Sequence, residues 1–143
     1  MPKMTLNPVE ASYLREMYRK GENSLEISTG DLAKIFDVRP ASVVDVVHRL
    51  ARKKLVEKQG WGKIALSKKG LSVAARIIHN HRVLETYFSR GLGLEVEDSC
   101  TEAAKIDYLI GDKVIRRLCE KLSFPEQCIH GFEVSHEICR RRL

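Results

Sequence analysis

The chain is poor in aromatic residues, 6% of its 143 positions, and has no apolar run near the ~18 residues that a membrane-crossing helix needs. Its opening residues, Met1 to Pro8, lack the apolar stretch of a secretory signal, so a cytoplasmic protein with no membrane partner is expected. Four cysteines occur and none forms a Cys-x-x-Cys pair. Without an export signal, a disulfide framework is not expected. There is no Gly-rich phosphate loop, no nucleophile elbow and no His-Glu-x-x-His pair, which argues against an enzyme. Acidic residues are scarce in one place. Between residues 39 and 76 only Asp45 and Glu57 stand against ten Lys/Arg, whereas residues 1–38 carry five bases and six acids, and residues 77–143 ten and eleven. The net charge of +6 therefore comes from a single block.

That block is not merely a solvated charge run. Val43, Val46, Val47, Leu50, Leu55, Val56, Ile64 and Leu66 thread through it at helical and strand spacing, so it folds. A folded basic unit between neutral flanks points to a polyanion partner.

Helix signals order the chain. Asn7-Pro8-Val9-Glu10 reads as the start of a first helix that ends at Gly21. Ser28-Thr29-Gly30-Asp31 starts a short second helix with Leu32, Ala33, Ile35 and Phe36 facing inward. Asp37 to Pro40 is a turn, and Pro40 opens a third helix to about Lys54. Leu55–Gln59 and Lys63–Leu66, joined by Gly60-Trp61-Gly62, read as a hairpin. Ser67 caps a long fourth helix to about Ser89, with Leu71, Ala74, Ala75, Ile78, Leu84 and Phe88 inward. Ser99-Cys100-Thr101-Glu102 reads as a capping box for a fifth helix. A sixth runs from Lys113 to Leu122, and the tail is irregular. The expected fold is mainly α: a winged helix-turn-helix over residues 1–70, three helices plus a hairpin wing, then a helical domain over residues 71–143 for dimerisation and effector binding. The third helix would enter the major groove.

On these elements the sequence resembles the DtxR/MntR family of metal-dependent transcriptional repressors. The resemblance is carried by Ser12–Tyr18, Arg39-Pro40-Ala41-Ser42-Val43-Val44, Leu66-Ser67-Lys68-Lys69-Gly70, His81–Glu85, Glu102–Leu109, Gly111-Asp112-Lys113-Val114 and the turn Cys128-Ile129-His130-Gly131. It implies a short, two-domain member without an SH3-like domain: a homodimer joined through the fifth and sixth helices and part of the fourth, binding double-stranded DNA at a palindromic operator. It places Ala41, Ser42 and Asp45 toward bases. Asp45 can accept from cytosine N4 or pair with Arg49 four residues on. Arg39, Lys63 and Lys68 are expected at phosphates, with His48 and Arg49 on the same element and Trp61 at the wing tip.

The resemblance also implies an activating metal. The first-helix ligand positions fall on Ser12 and Arg15, and the fifth-helix positions on Ala104, Asp107 and Tyr108, a degenerate primary set. His81, Glu85 and Cys100 occupy the other family positions, so a transition metal (iron, manganese or zinc) is expected on His81, Glu85, Cys100 and Asp107. A second possibility is an iron–sulfur cluster, or a thiol redox switch, on Cys100, Cys119, Cys128 and Cys139. The expected function is a DNA-binding transcriptional repressor responding to metal or to a cluster or redox signal. The alternatives are a constitutive DNA-binding regulator that has lost its effector and a winged helix used for protein contacts.

Overall fold

The computed structural model describes residues 4–22 and 26–140, without the side chain of Arg140. It divides into two compact units, one ending at Ala75 and the other beginning at Arg76. The division lies five residues beyond the boundary expected from sequence and inside a continuous helix, α4 (Lys68–Leu92).

The first unit holds α1 (Pro8–Glu22), β1 (Ile27–Ser28), α2 (Thr29–Phe36), α3 (Pro40–Arg52), β2 (Val56–Lys58) and β3 (Lys63–Leu66). Asn7 and Glu10 close the first turn of α1 reciprocally: Glu10 N donates to Asn7 Oδ1 at 2.8 Å and Asn7 N to Glu10 Oε1 at 3.4 Å. Buried Glu10 also receives Lys53 Nζ at 2.6 Å, so Lys53 ties the end of α3 to α1. Ser28 caps α2 with Asp31 in a full capping box, and Asp37 leaves the helix in the left-handed region (φ 51°). Val38 and Arg39 then lead to Pro40, the first residue of α3.

The core is built from Leu14, Leu32, Val43, Val47, Leu50 and Leu55, with the Tyr13 and Phe36 rings stacked at 4.4 Å. The sequence pattern set Ile35 inward, but it is 39% exposed; the short α2 turns only Leu32 and Ala33 fully into the core. The expected hairpin is part of a three-stranded antiparallel sheet in the order β1-β3-β2, because Ile27 and Ser28 pair with Ile64 and Lys63.

The second unit contains most of α4 with α5 (Val96–Ile106), α6 (Asp112–Lys121) and α7 (Glu137–Arg140). Val83, Leu84, Ala103, Ile115, Cys119, Cys128 and Val134 form its core. α5 begins three residues before the expected Ser99 cap: Glu95 is the N-cap, and Ser99 Oγ instead donates back to Leu94 O at 3.4 Å. Leu71, expected inward, is 51% exposed, and Ile77 and Val83 fill the buried stripe of α4 instead. No helix among the described residues is long and apolar enough to cross a membrane.

One glycine governs the junction between wing and α4. Ser67 Oγ donates to Lys54 O and accepts from Gly70 N, drawing the start of α4 onto the loop before β2. A Cβ at Gly70 would lie 1.8 Å from the carbonyl oxygen of Leu55. Backbone cannot yield as a flexible side chain does. Gly70→Ala is therefore expected to lower the unfolding free energy by about 1–3 kcal/mol, the usual range for overpacking. Urea denaturation followed by circular dichroism checks this.

Candidate functional site

Two surfaces carry chemistry, one in each unit. In the first unit α3 buries Val43, Val46, Val47 and Leu50. The same helical period turns Arg39, Ala41, Ser42, Asp45 and His48 to solvent, together with Arg52. Lys63 on β3 and Lys68 at the start of α4 are also exposed. Lys63 pairs with Glu26 at 2.8 Å, but both side chains are solvated, and such a pair opens at little cost. Arg49 differs from the rest of the expected set. It is half-buried, and its Nε is enclosed without a hydrogen-bond partner. No ion pair joins Asp45 to Arg49 among the described residues, which leaves Asp45 on the open face. At the wing tip Gly60, Trp61 and Gly62 all have positive φ (79°, 50° and 73°), and Trp61 is 99% exposed. An indole held out in this way buries nothing in the free protein.

In the second unit, His81 and Glu85 lie one turn apart on α4 and are both almost fully buried. His81 Nε2 is 3.4 Å from Glu85 Oε2 and 3.4 Å from Cys100 Sγ. The other ring nitrogen, Nδ1, lies 3.0 Å from Asp107 Oδ2. Asp107 therefore takes a role different from the one expected of it. It binds the back of the imidazole and orients it, and the ligand set facing Nε2 is His81, Glu85 and Cys100.

A second set, Glu85, Cys128 and His130, meets the first at Glu85, with His130 Nδ1 3.3 Å from Oε2. A short turn brings Cys128 and His130 there. Gly131 N donates to Cys128 O, Cys128 N to Phe132 O, and Gly131 supplies φ 82°. Arg82 anchors this turn by lying over the Phe132 ring and donating to Glu133 O at 2.9 Å. At the meeting point, buried Glu85 Oε2 has no hydrogen-bond partner. A buried carboxylate oxygen without a hydrogen bond, ringed by imidazole nitrogens and thiols, is the arrangement a cation completes.

The four cysteines are divided among three close ligand sets. Cys100 and Cys128 fall in the two sets that share Glu85, while Cys119 and Cys139 fall in a third set with His79 and His136. Among the described residues no single-ion set contains all four thiols, and nothing in the geometry supports the iron–sulfur expectation.

Electrostatics follow the geometry. Burial alone would depress the His81 pKa, but the approach of Asp107, Cys100 and Glu85 outweighs it and raises the value to about 10. Burial would raise the Glu85 pKa, but contact with His81 and its charge, with Cys128 and His130, brings it below the ordinary value. Both shifts favour the charged pair, imidazolium and carboxylate. By contrast, burial pushes His79 down to about 4 and the Cys119 thiol up to about 12.

Residues 5–62 match the profile "Iron dependent repressor, N-terminal DNA binding domain" and residues 67–134 match "Iron dependent repressor, metal binding and dimerisation domain". The chain belongs to the DtxR/MntR family of metal-dependent transcriptional repressors. Its relatives include an uncharacterized HTH-type transcriptional regulator of Methanocaldococcus jannaschii, 29% identical over 68% of this chain and 78% of that protein. The iron-dependent repressor IdeR of Mycobacterium tuberculosis is 27% identical over 79% of this chain, which spans 49% of IdeR. Among solved structures, the manganese regulator SloR has a TM-score of 0.79 at 27% identity, covering 92% of this chain and 60% of SloR. A hypothetical protein of Sulfolobus solfataricus has a TM-score of 0.70 at 28% identity, covering 91% and 99%.

Within this DtxR/MntR chain, the sequence resemblance singled out His81, Glu85 and Cys100 but not His130 as a partner of Glu85, nor His79. The Cys128-Ile129-His130-Gly131 turn was the only signal for His130. Nothing local linked His79 to a cysteine 40 residues on. At the degenerate family positions, Ser12 Oγ donates to Val9 O at 2.6 Å within its own helix, and Ala104 offers no ligand atom.

The His81 shift has a sign that can be tested. Its folded value, about 10, lies above the ordinary 6.5. The stabilisation it brings to metal-free protein is therefore complete below about pH 6.5 and is lost as pH rises through about 10. Urea denaturation of chelator-treated protein should show this decline, and His81→Gln should flatten it. Imidazole NMR should follow the His81 titration directly.

Proposed function

We propose that this chain is a homodimeric, sequence-specific DNA-binding repressor whose affinity for a palindromic operator is raised by a divalent transition metal held at His81, Glu85 and Cys100. The single observation that carries the metal reading is the enclosed Glu85 Oε2, which lacks a hydrogen bond although it lies 3.4 Å from His81 Nε2 and 3.3 Å from His130 Nδ1. Asp107 adds the outer contact that metal-binding histidines usually have. Imidazole, carboxylate and thiol together favour iron or zinc over the all-oxygen preference of manganese. When bound, the ion supplies positive charge that holds Glu85, His81 and Cys100 in one arrangement. Cys128 and His130 lie close enough to Glu85 to bring the tail turn into that arrangement. Metal binding must displace the proton of His81, so affinity rises with pH.

For DNA, the exposed face of α3 presents Arg39, Ala41, Ser42, Asp45 and His48 to a major groove, while Lys63 and Lys68 meet phosphates. Exposed apolar side chains on and between α5 and α6, namely Val96, Ile106, Leu109 and Val114, suit burial against a second copy. A twofold pair of winged helices calls for a twofold DNA site. On this reading the protein works in the cytoplasm.

The test is selection of duplexes from a random pool in the presence of Fe2+ or Zn2+, followed by affinity measurement. Selected duplexes should be palindromic. Metal should tighten binding about tenfold or more, and Glu85→Gln should abolish the gain while keeping the metal-free affinity. Equal affinity in chelator and in metal would contradict metal control. Binding insensitive to salt would contradict the phosphate contacts. Trp61, the one tryptophan in the chain, should change its fluorescence on adding duplex, and Ser42→Ala should relax base preference without altering the salt slope.

A further inference from the structure

A third ligand set, which shares no residue with the Glu85 centre, lies where α4, α6 and the tail meet. His79 Nε2 is 3.7 Å from Cys119 Sγ, and His136 Nδ1 is 3.3 Å from Cys139 Sγ. One ligand atom from each of the four residues falls within 4.8 Å of every other. The outer contacts fix which nitrogen each imidazole offers. Asn80 Nδ2 donates to Asp107 O at 3.0 Å, so Asn80 Oδ1 is left to accept from His79 Nδ1 at 3.4 Å. His136 Nε2 donates to Pro125 O at 2.7 Å. Each ring therefore has its outward N–H held by an oxygen, and each turns a lone pair toward a cysteine sulfur. This is the support that metal-binding histidines receive.

His79 and His81 are two residues apart on α4 and so project from different sides of it. The two sets share no residue. An open cavity of about 320 Å³, lined in part by Arg76, His79, Asn80 and Cys139, gives access from solvent.

We propose that His79, Cys119, His136 and Cys139 bind one Zn2+ in a closed four-ligand site that fastens the tail to α4 and α6. Two sulfurs and two imidazole nitrogens form a tetrahedral zinc set, and with all four positions taken by protein the ion is structural. The tail needs such a fastening. α7 is four residues long, too short to hold its own shape, and the strand pairing nearest to it is the isolated bridge between Gln127 and Glu133. Zinc binding at this set contributes directly to the stability of the second unit.

The experiment uses the full chain, stripped by chelator under reductant and reloaded with Co2+ or Zn2+ alone. Cys100→Ser combined with Glu85→Gln removes one thiol and the carboxylate shared by both Glu85 sets, and so disables that centre without touching the new one. In that variant Co2+ should show thiolate charge transfer from two sulfurs, and one tightly held zinc per chain should remain. Cys139→Ser should halve the thiolate band, weaken zinc about tenfold or more, and make the tail susceptible to limited proteolysis. His136→Gln should give the same loss of affinity, which separates ligand removal from a folding defect at a cysteine. Unchanged zinc affinity in both Cys139→Ser and His136→Gln would overturn the proposal, as would a Co2+ spectrum without thiolate bands in the Cys100→Ser, Glu85→Gln double variant. Failure of metal-stimulated DNA binding alone would count against the Glu85 centre and leave this site standing.

Discussion

The contact between Asp107 and His81 organises the chemistry of the second unit. A carboxylate 3.0 Å behind the imidazole decides which nitrogen faces Glu85 and Cys100. It also holds a positive charge in a region almost without solvent, as the raised His81 pKa records. Together with Cys100 and Glu85 it outweighs the burial that would otherwise favour the neutral ring. With it, Glu85 is ionised yet one of its oxygens has no hydrogen bond. Val83, Leu84, Ala103 and Cys128 belong to the buried core of the same unit.

The same residues explain how the family pattern has shifted in this chain. At positions where the resemblance implies ligands stand Ser12, Ala104 and Tyr108, and Asp107 contacts Nδ1 of His81. The Cys128-Ile129-His130-Gly131 turn, anchored by Arg82, brings a thiol and an imidazole to the remaining centre. The groups that gather at Glu85 are thus two thiols and two imidazoles, a sulfur- and nitrogen-rich set.

Local chemistry made much of the fold legible in the sequence. The reciprocal bonds of Asn7 with Glu10 and of Ser28 with Asp31 are short-range features that residue types announce. The placement of Pro40 and the valine stripe of α3 likewise follow from period and backbone chemistry. Errors arose where two local readings competed. Ser99-Cys100-Thr101-Glu102 has the form of a capping box, but Glu95 already starts α5. Period assigns a face without giving its depth, so Ile35 and Leu71 were set inward although both remain exposed. β1 has two residues and α7 four, too few to show a pattern. The division of the cysteines among three ligand sets depends on contacts between residues 19 to 43 positions apart in sequence, and spacing along the chain could not show which thiol meets which histidine.

The most direct measurement is anomalous diffraction from crystals of the full chain loaded with Zn2+ or Fe2+. The account predicts a peak at coordination distance, about 2.0–2.3 Å, from His81 Nε2, Glu85 Oε2 and Cys100 Sγ, with Asp107 still bound to Nδ1. Metal-loaded crystals with no anomalous density beside Glu85, or with the ion held by Asp107 in place of His81, would contradict it.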